Sequence, residues 1–183
     1  ADRVIIVDKE SNILDGDDLL YILAFANPNR IGQWSGVVGT LMSNLGLEDG
    51  IKKLGYDCTE VSTYTGFNEM LDGRIKTLHP KIHAGILHDR SNKKHQGEMN
   101  KQKFPSIDLI IVNFYPFQKI VSGSYSSKKI IENIDIGGPT MVRSAAKNFK
   151  NVTIVTGKND YHNLIEEIDK NNGSTSLKFR ELM

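Results

Sequence analysis

Arg74, Lys76 and Thr77 place two cations and a hydroxyl within four positions of a 183-residue chain. They stand just ahead of His79, Pro80, Lys81 and His83. Cations and a hydroxyl on one loop suit a phosphate or another oxyanion. Pro80 supports that use, because proline in the first turn of a helix leaves the preceding amides pointing at one place. A solvated basic turn would have the same composition, so this block alone does not choose.

Two further blocks bear on the choice. Asn113-Phe114-Tyr115-Pro116-Phe117 follows directly on the apolar run Ile107 to Val112. The carboxyl end of such a strand is where α/β proteins bind ligands. Tyr115 there is either a proton donor or a core residue, whereas Phe114 and Phe117 read as core. Asp135 precedes Gly137 and Gly138, and bare glycines let backbone approach a ligand closely. Asp135 then either exchanges a proton with the ligand or caps the next helix. Lys147 ends that helix, where a lysine also complements the negative helix end.

His79 and His83 stand four apart, a spacing that can hold zinc on one helix face. The glutamate of the HExxH pattern is absent, and Lys81 would repel a cation. The pair is therefore read as lining a pocket or a helix surface, and no metal is expected.

The elements that must position these groups follow from apolar patterning. Arg3 to Asp8 reads as a buried strand, and Asp15 to Asp18 as the start of a helix over LLYILAFA. Val37 to Met42 and Cys58 to Ser62 are further strand candidates, with a short helix between them over Leu47 to Leu54. His95 to Lys103 is a polar helix or loop. Ile107 to Val112 is the clearest buried strand. Helices are expected over Ser126 to Glu132 and Thr140 to Ala146, then a strand over Val152 to Val155 and a helix over Tyr161 to Ile168. Strands alternating with helices imply an α/β fold with a parallel sheet covered on both faces.

The totals agree with one domain, or one domain plus a fragment of another. No apolar run is long enough to cross a bilayer, and no secretory leader opens the sequence. Cys58 is the single cysteine, which rules out an internal disulfide and favours a reducing cytoplasm. A formal charge of +1 argues against a nucleic-acid binder with a broad basic face. The tail NNGSTSLKFRELM has turn composition and reads as a chain cut before a further domain.

LDGRIKTLHPKIHAGIL, NFYPF and IENIDIGGPTMVRSAAKN, in this order and spacing, closely resemble the IMP cyclohydrolase family of purine biosynthesis. Residues 60–67 extend the resemblance, which runs from about Gly55 onward. It implies a methylglyoxal-synthase-like fold, usually dimeric, and ring closure of FAICAR to IMP with loss of water, without metal or organic cofactor. By resemblance Lys76, Tyr115, Asp135 and Lys147 are catalytic. Arg74 and Thr77 fall on the phosphate side, with Asn113, Gly137 and Gly138 lining the substrate.

Residues 1–50 instead resemble phosphoglucosamine mutase, without that family's complete metal loop, phosphoserine loop or sugar loop. The chain thus divides into a mutase-like segment, 1–50, supplying strands and helices, and a cyclohydrolase domain, 51–183, followed elsewhere in the family by a formyltransferase domain. Counting back from Gly55, Ser43 and Gly46 fall on the family's phosphate loop, while Leu45 and Leu47 depart from it. Two other readings stand beside the enzyme: an inactive nucleotide-binding fragment and a mutase fragment.

Overall fold

The computed structural model describes residues 3–8, 20–24, 57–68, 70–114 and 117–183. Three strands come first: β1 (Arg3–Asp8), β2 (Leu20–Ala24) and β3 (Asp57–Glu60). Helix α1 (Val61–Thr65) follows, then α2 (Pro80–Leu87) and α3 (Lys93–Gln102). Strand β4 (Leu109–Asn113) leads to α4 (Phe117–Ser122), α5 (Ser127–Glu132) and α6 (Gly137–Lys147). The chain closes through β5 (Thr153–Val155), α7 (Tyr161–Lys170) and α8 (Leu177–Leu182).

The strands form one five-stranded sheet in the order β3-β1-β2-β4-β5. Pairing is parallel between β1 and β3 and between β4 and β5. β2 runs antiparallel to both of its neighbours. The α/β class with helices about a sheet of parallel pairs holds, and β2 is its antiparallel member. The same segment corrects the expected helix over LLYILAFA. An apolar run without polar gaps carries no period of its own, so periodicity cannot separate a buried strand from a buried helix. Here the flanking strands decide, because β1 and β4 satisfy the backbone of β2 on both edges.

Other boundaries move by a few residues. Ser62 belongs to α1 and not to the third strand. α6 starts at Gly137, so the two glycines lie inside its first turn and not in a preceding loop. The tail is not all turn: Ser176 caps α8 by accepting from Phe179 N–H. Arg180 pins that helix to the entrance of β5 through the carbonyls of Phe149 (2.9 Å) and Lys150 (3.1 Å). The candidates between residues 25 and 56 lie outside the described residues.

β4 organises the core. Leu109, Ile110, Ile111 and Val112 are all buried. Successive strand side chains point to opposite faces, so both faces of β4 are covered. On one face Ile110 and Val112 join Ile82 and Ile86 of α2, Met141 and Ala145 of α6, and Val61 and Tyr64 of α1. On the other, Leu109 shares a cavity wall with Ile168 of α7. α2 owes its close seat to Gly85. A Cβ added there would meet Pro105 O and Ile107 Cδ1 at 3.0 Å, and Gly85 O accepts from Ile107 N–H at 3.0 Å.

Gly85→Ala is accordingly expected to destabilise the fold by about 1–3 kcal/mol, although alanine is the better helix former. Urea unfolding measures this, and an unchanged or raised midpoint would show that the α2 seat has room.

Candidate active site at the carboxyl edge of the sheet

The turn after the 3-10 segment Leu71–Gly73 carries Arg74, Lys76 and Thr77. Its backbone is wound tightly, with Lys76 N–H donating to Gly73 O and Leu78 N–H to Ile75 O, both at 3.1 Å. Thr77 faces inward and is 4% exposed, whereas Lys76 is half-buried. The Arg74 guanidinium pairs with Glu132 of α5. Both members of that pair are well exposed, so it adds little stability. It does mean that an anion at Arg74 competes with Glu132.

Thr77 meets the start of α6. A Cβ on Gly137 would stand 2.2 Å from Thr77 Oγ1, far inside van der Waals contact. Only a residue without a side chain allows this approach. Two positions earlier, Asp135 Oδ1 accepts from Gly138 N–H at 3.0 Å, which caps the helix. Asp135 Oδ2 is buried and has no hydrogen-bond partner among the described residues. The cap and the acid, two alternatives in the sequence, therefore use different oxygens of one carboxylate. An unsatisfied buried acceptor is costly and rare in native structures, and Oδ2 is positioned to receive a proton or hydrogen bond from a ligand.

The two histidines have separate tasks. His79 Nδ1 accepts from Lys81 N–H at 3.1 Å and so caps α2. Burial and the Lys81 charge hold its pKa below the ordinary value. His83 Nδ1 lies 3.1 Å from Ser144 Oγ of α6. Ser144 Oγ also stands 2.8 Å from Thr140 O, so this hydroxyl links the imidazole to the backbone of α6. His83 Nε2 is buried without a partner among the described residues. Burial pushes this imidazole below its usual pKa, opposed by the Thr77 carbonyl, which favours the protonated ring.

Topology fixes the remaining candidates. β4 and β5 are parallel, so the connection between them must return from the carboxyl edge of the sheet to the amino edge. α6 is the returning leg, and its eleven residues set Lys147 about 15 Å along the axis from Gly137. Within one chain the structure gathers Lys76, Thr77, Asp135, Gly137 and Gly138, and leaves Lys147 exposed at the far end. Asn113 ends β4 at the carboxyl edge, where its Oδ1 accepts from the Tyr161 hydroxyl. Tyr115, Ser43 and Gly46 lie outside the described residues. Sequence reading passed over Ser144 and Tyr161. The signal for Tyr161 was its position just after β5, on the neighbouring strand-to-helix connection of the parallel pair.

Two outcomes follow from this geometry. Gly137→Ala is expected to destabilise by about 1–3 kcal/mol through overpacking against Thr77. Thr77→Ala leaves only Cβ, which stands 3.6 Å from the new methyl, an ordinary contact. The double variant should thus be more stable than the sum of the single changes, and strict additivity in a double-mutant cycle would remove this contact as the cause. The second outcome concerns pH. His79 and His83 both have lowered pKa values in the fold, so the unfolded chain binds more protons as pH falls. Their contribution is complete above about 6.5 and is lost as acidification proceeds through the lower folded values. His83→Asn should flatten urea midpoints measured between about pH 7 and pH 5, and an unaltered slope would contradict the His83 assignment.

Comparison with known proteins bears on the same residues. The family model described as MGS-like domain matches residues 40–140, and that of the AICARFT/IMPCHase bienzyme matches residues 145–183. The bifunctional purine biosynthesis protein PurH of Dinoroseobacter shibae is 45% identical over 143 residues, 78% of this chain and 27% of that protein. PurH of Clostridium kluyveri is 53% identical over 123 residues, 67% of this chain and 24% of that protein. The chain thus spans about a quarter of the length of these relatives. The crystal structure of ForH shares the fold with a TM-score of 0.63 at 23% identity, covering 82% of each chain. Matched over more than half its length and built on an α/β sheet with helices around β4, the chain belongs to the MGS-like domain family.

Proposed function

We propose that this chain is an IMP cyclohydrolase domain that closes FAICAR to IMP with loss of water. The observation that carries the proposal is the seat of Thr77 against Gly137. It brings the turn that carries Lys76 to the start of α6, two residues after Asp135, within a chain 45–53% identical to PurH proteins over the matched region.

The reaction asks for little chemistry and much positioning. The carboxamide nitrogen attacks the formyl carbon held beside it, forming one C–N bond on a single substrate. The carboxamide nitrogen and the formamide nitrogen each give up one proton, and the formyl oxygen leaves with both as water. A carboxamide is a poor nucleophile, and an acceptor for its proton lowers the barrier. Asp135 Oδ2 is the group assigned to that proton. Oxyanion stabilisation falls to Lys76, whose charge offsets the negative charge that develops on the formyl oxygen. Thr77 and Arg74 serve the phosphate side, while Asn113, Gly137 and Gly138 hold the base. Tyr115 completes the catalytic set on the strength of the resemblance. Ser43 and Gly46 contribute to a phosphate loop, and the family match beginning at residue 40 includes them. The dehydration needs no metal or organic cofactor. The same reading makes the chain a nucleotide-binding, cytoplasmic homodimer. The purine-biosynthesis matches favour it over an inactive fragment or a mutase fragment.

Addition of FAICAR should produce the absorbance change of IMP formation. Lys76→Ala and Asp135→Asn should each lower turnover about a hundredfold or more with the fold intact. Lys147→Ala should cost far less than either, because α6 holds it away from Asp135. No IMP from the unaltered chain would end the proposal. A loss at Lys147 equal to that at Lys76 would show that the site receives this lysine by a route other than its own α6.

A further inference from the structure

Asn113 and Tyr161 meet where two neighbouring parallel strands end. β4 finishes on Asn113, and the 3-10 turn Lys158–Asp160 after β5 brings Tyr161 to the first position of α7. Tyr161 is 2% exposed, so its phenol proton cannot turn to solvent. Burial raises the phenol pKa, partly offset by the bond to Asn113, so the group remains a donor through the neutral range.

That donor selects the orientation of the carboxamide. Asn113 Oδ1 accepts from Tyr161 Oη. Rotating the amide by half a turn would present NH2 to the phenol and leave the buried phenol proton without this acceptor, which disfavours that orientation. The carboxamide is planar, with its oxygen and nitrogen on opposite sides of the carbon. Holding the oxygen on Tyr161 turns the two N–H donors away from α7. Asn113 is partly exposed, which leaves those donors accessible at the carboxyl edge.

We propose that Tyr161 is a positioning residue for the nucleotide site: its phenol locks Asn113 so that the carboxamide presents donors, and not its acceptor, to the base of the bound nucleotide. The proposal rests on the cyclohydrolase reading for the identity of the ligand. The hydrogen bond itself does not. A ring carbonyl or ring nitrogen with a lone pair is the complementary group, as on a purine or its ring-open precursor. Tyr161 touches no reacting atom. Its effect therefore belongs in ground-state affinity and not in the chemical step.

The test combines calorimetry with IMP, FAICAR kinetics and the side-chain amide signals of Asn113 in 15N-resolved spectra. Tyr161→Phe keeps the ring in its buried seat and removes only the hydroxyl. It should shift or broaden the Asn113 NH2 pair and raise both the Kd for IMP and the KM by about three- to tenfold, with kcat held within about twofold. Asn113→Asp keeps an oxygen for Tyr161 but removes the donors, and should weaken IMP at least as much as Asn113→Ala. Tyr161→Phe combined with Asn113→Ala should bind no worse than Asn113→Ala alone. Unchanged amide signals in Tyr161→Phe would overturn the hydrogen bond. Additive losses, or a fall in kcat at constant KM, would overturn the positioning role. If the unaltered chain binds no IMP while the amide signals respond to Tyr161→Phe, the cyclohydrolase reading and the substrate role of Asn113 fail together. The bond would then be structural only.

Discussion

The approach of Thr77 to Gly137 is the constraint on which the site depends. A side chain at Gly137 would occupy the space of the threonine hydroxyl, so the turn bearing Lys76 and the start of α6 can share one location only while position 137 is bare. The turn arrives at this position because α2, which follows it, is seated on the core. α6 arrives because its buried face packs beside α2 on β4. The candidate site is therefore a product of helix packing at a distance from its polar groups. Misplacement of a catalytic group by an ångström is enough to cost much of an enzyme's rate.

Polar groups reinforce the same arrangement. Ser144 ties α6 to His83 of α2, and Asn148, one turn further on at the C-cap of α6, donates to Ile86 O (2.7 Å) and His88 O (3.0 Å). The two helices are thus pinned at more than one level, and sliding of one along the other would leave several buried polar groups unsatisfied. The energetic consequence is rigidity in the scaffold, with buried polar atoms that have no partner among the described residues left on Asp135 Oδ2 and His83 Nε2. Strongly hydrogen-bonded scaffolds with a few unsatisfied groups at a sheet edge are what a preorganised site requires.

Helix α6 also limits what one chain can do. A helix is a ruler as well as a platform, and a group at its last position is removed from its first by the full rise of the intervening turns. Asp135 and Lys147 look close in sequence because both belong to one short block. The crossover between two parallel strands sends them to opposite edges of the sheet. By contrast Asn113 and Tyr161, far apart in sequence, become neighbours because adjacent parallel strands end side by side.

The sequence by itself determined the chemical inventory of this protein. Gly-Arg-Ile-Lys-Thr, the Asp135 block and Asn113 stood out as candidate site material from residue types and spacing, and β4 was legible, two residues early at its start, from the apolar stretch Ile107 to Val112. The α/β class also followed from alternating patterns, since amphipathic period is a local property. Tertiary structure decided what local pattern cannot encode. β2 is a strand because β1 and β4 stand on either side of it, not because LLYILAFA has a strand's period. Which group His83 meets on α6, which glycine lets Thr77 approach that helix, and which side of Asn113 faces Tyr161 are all set by partners distant in the chain. Hydrogen bonds and steric contacts act through space at about 3 Å, and no spacing along a sequence fixes which groups will come within that reach.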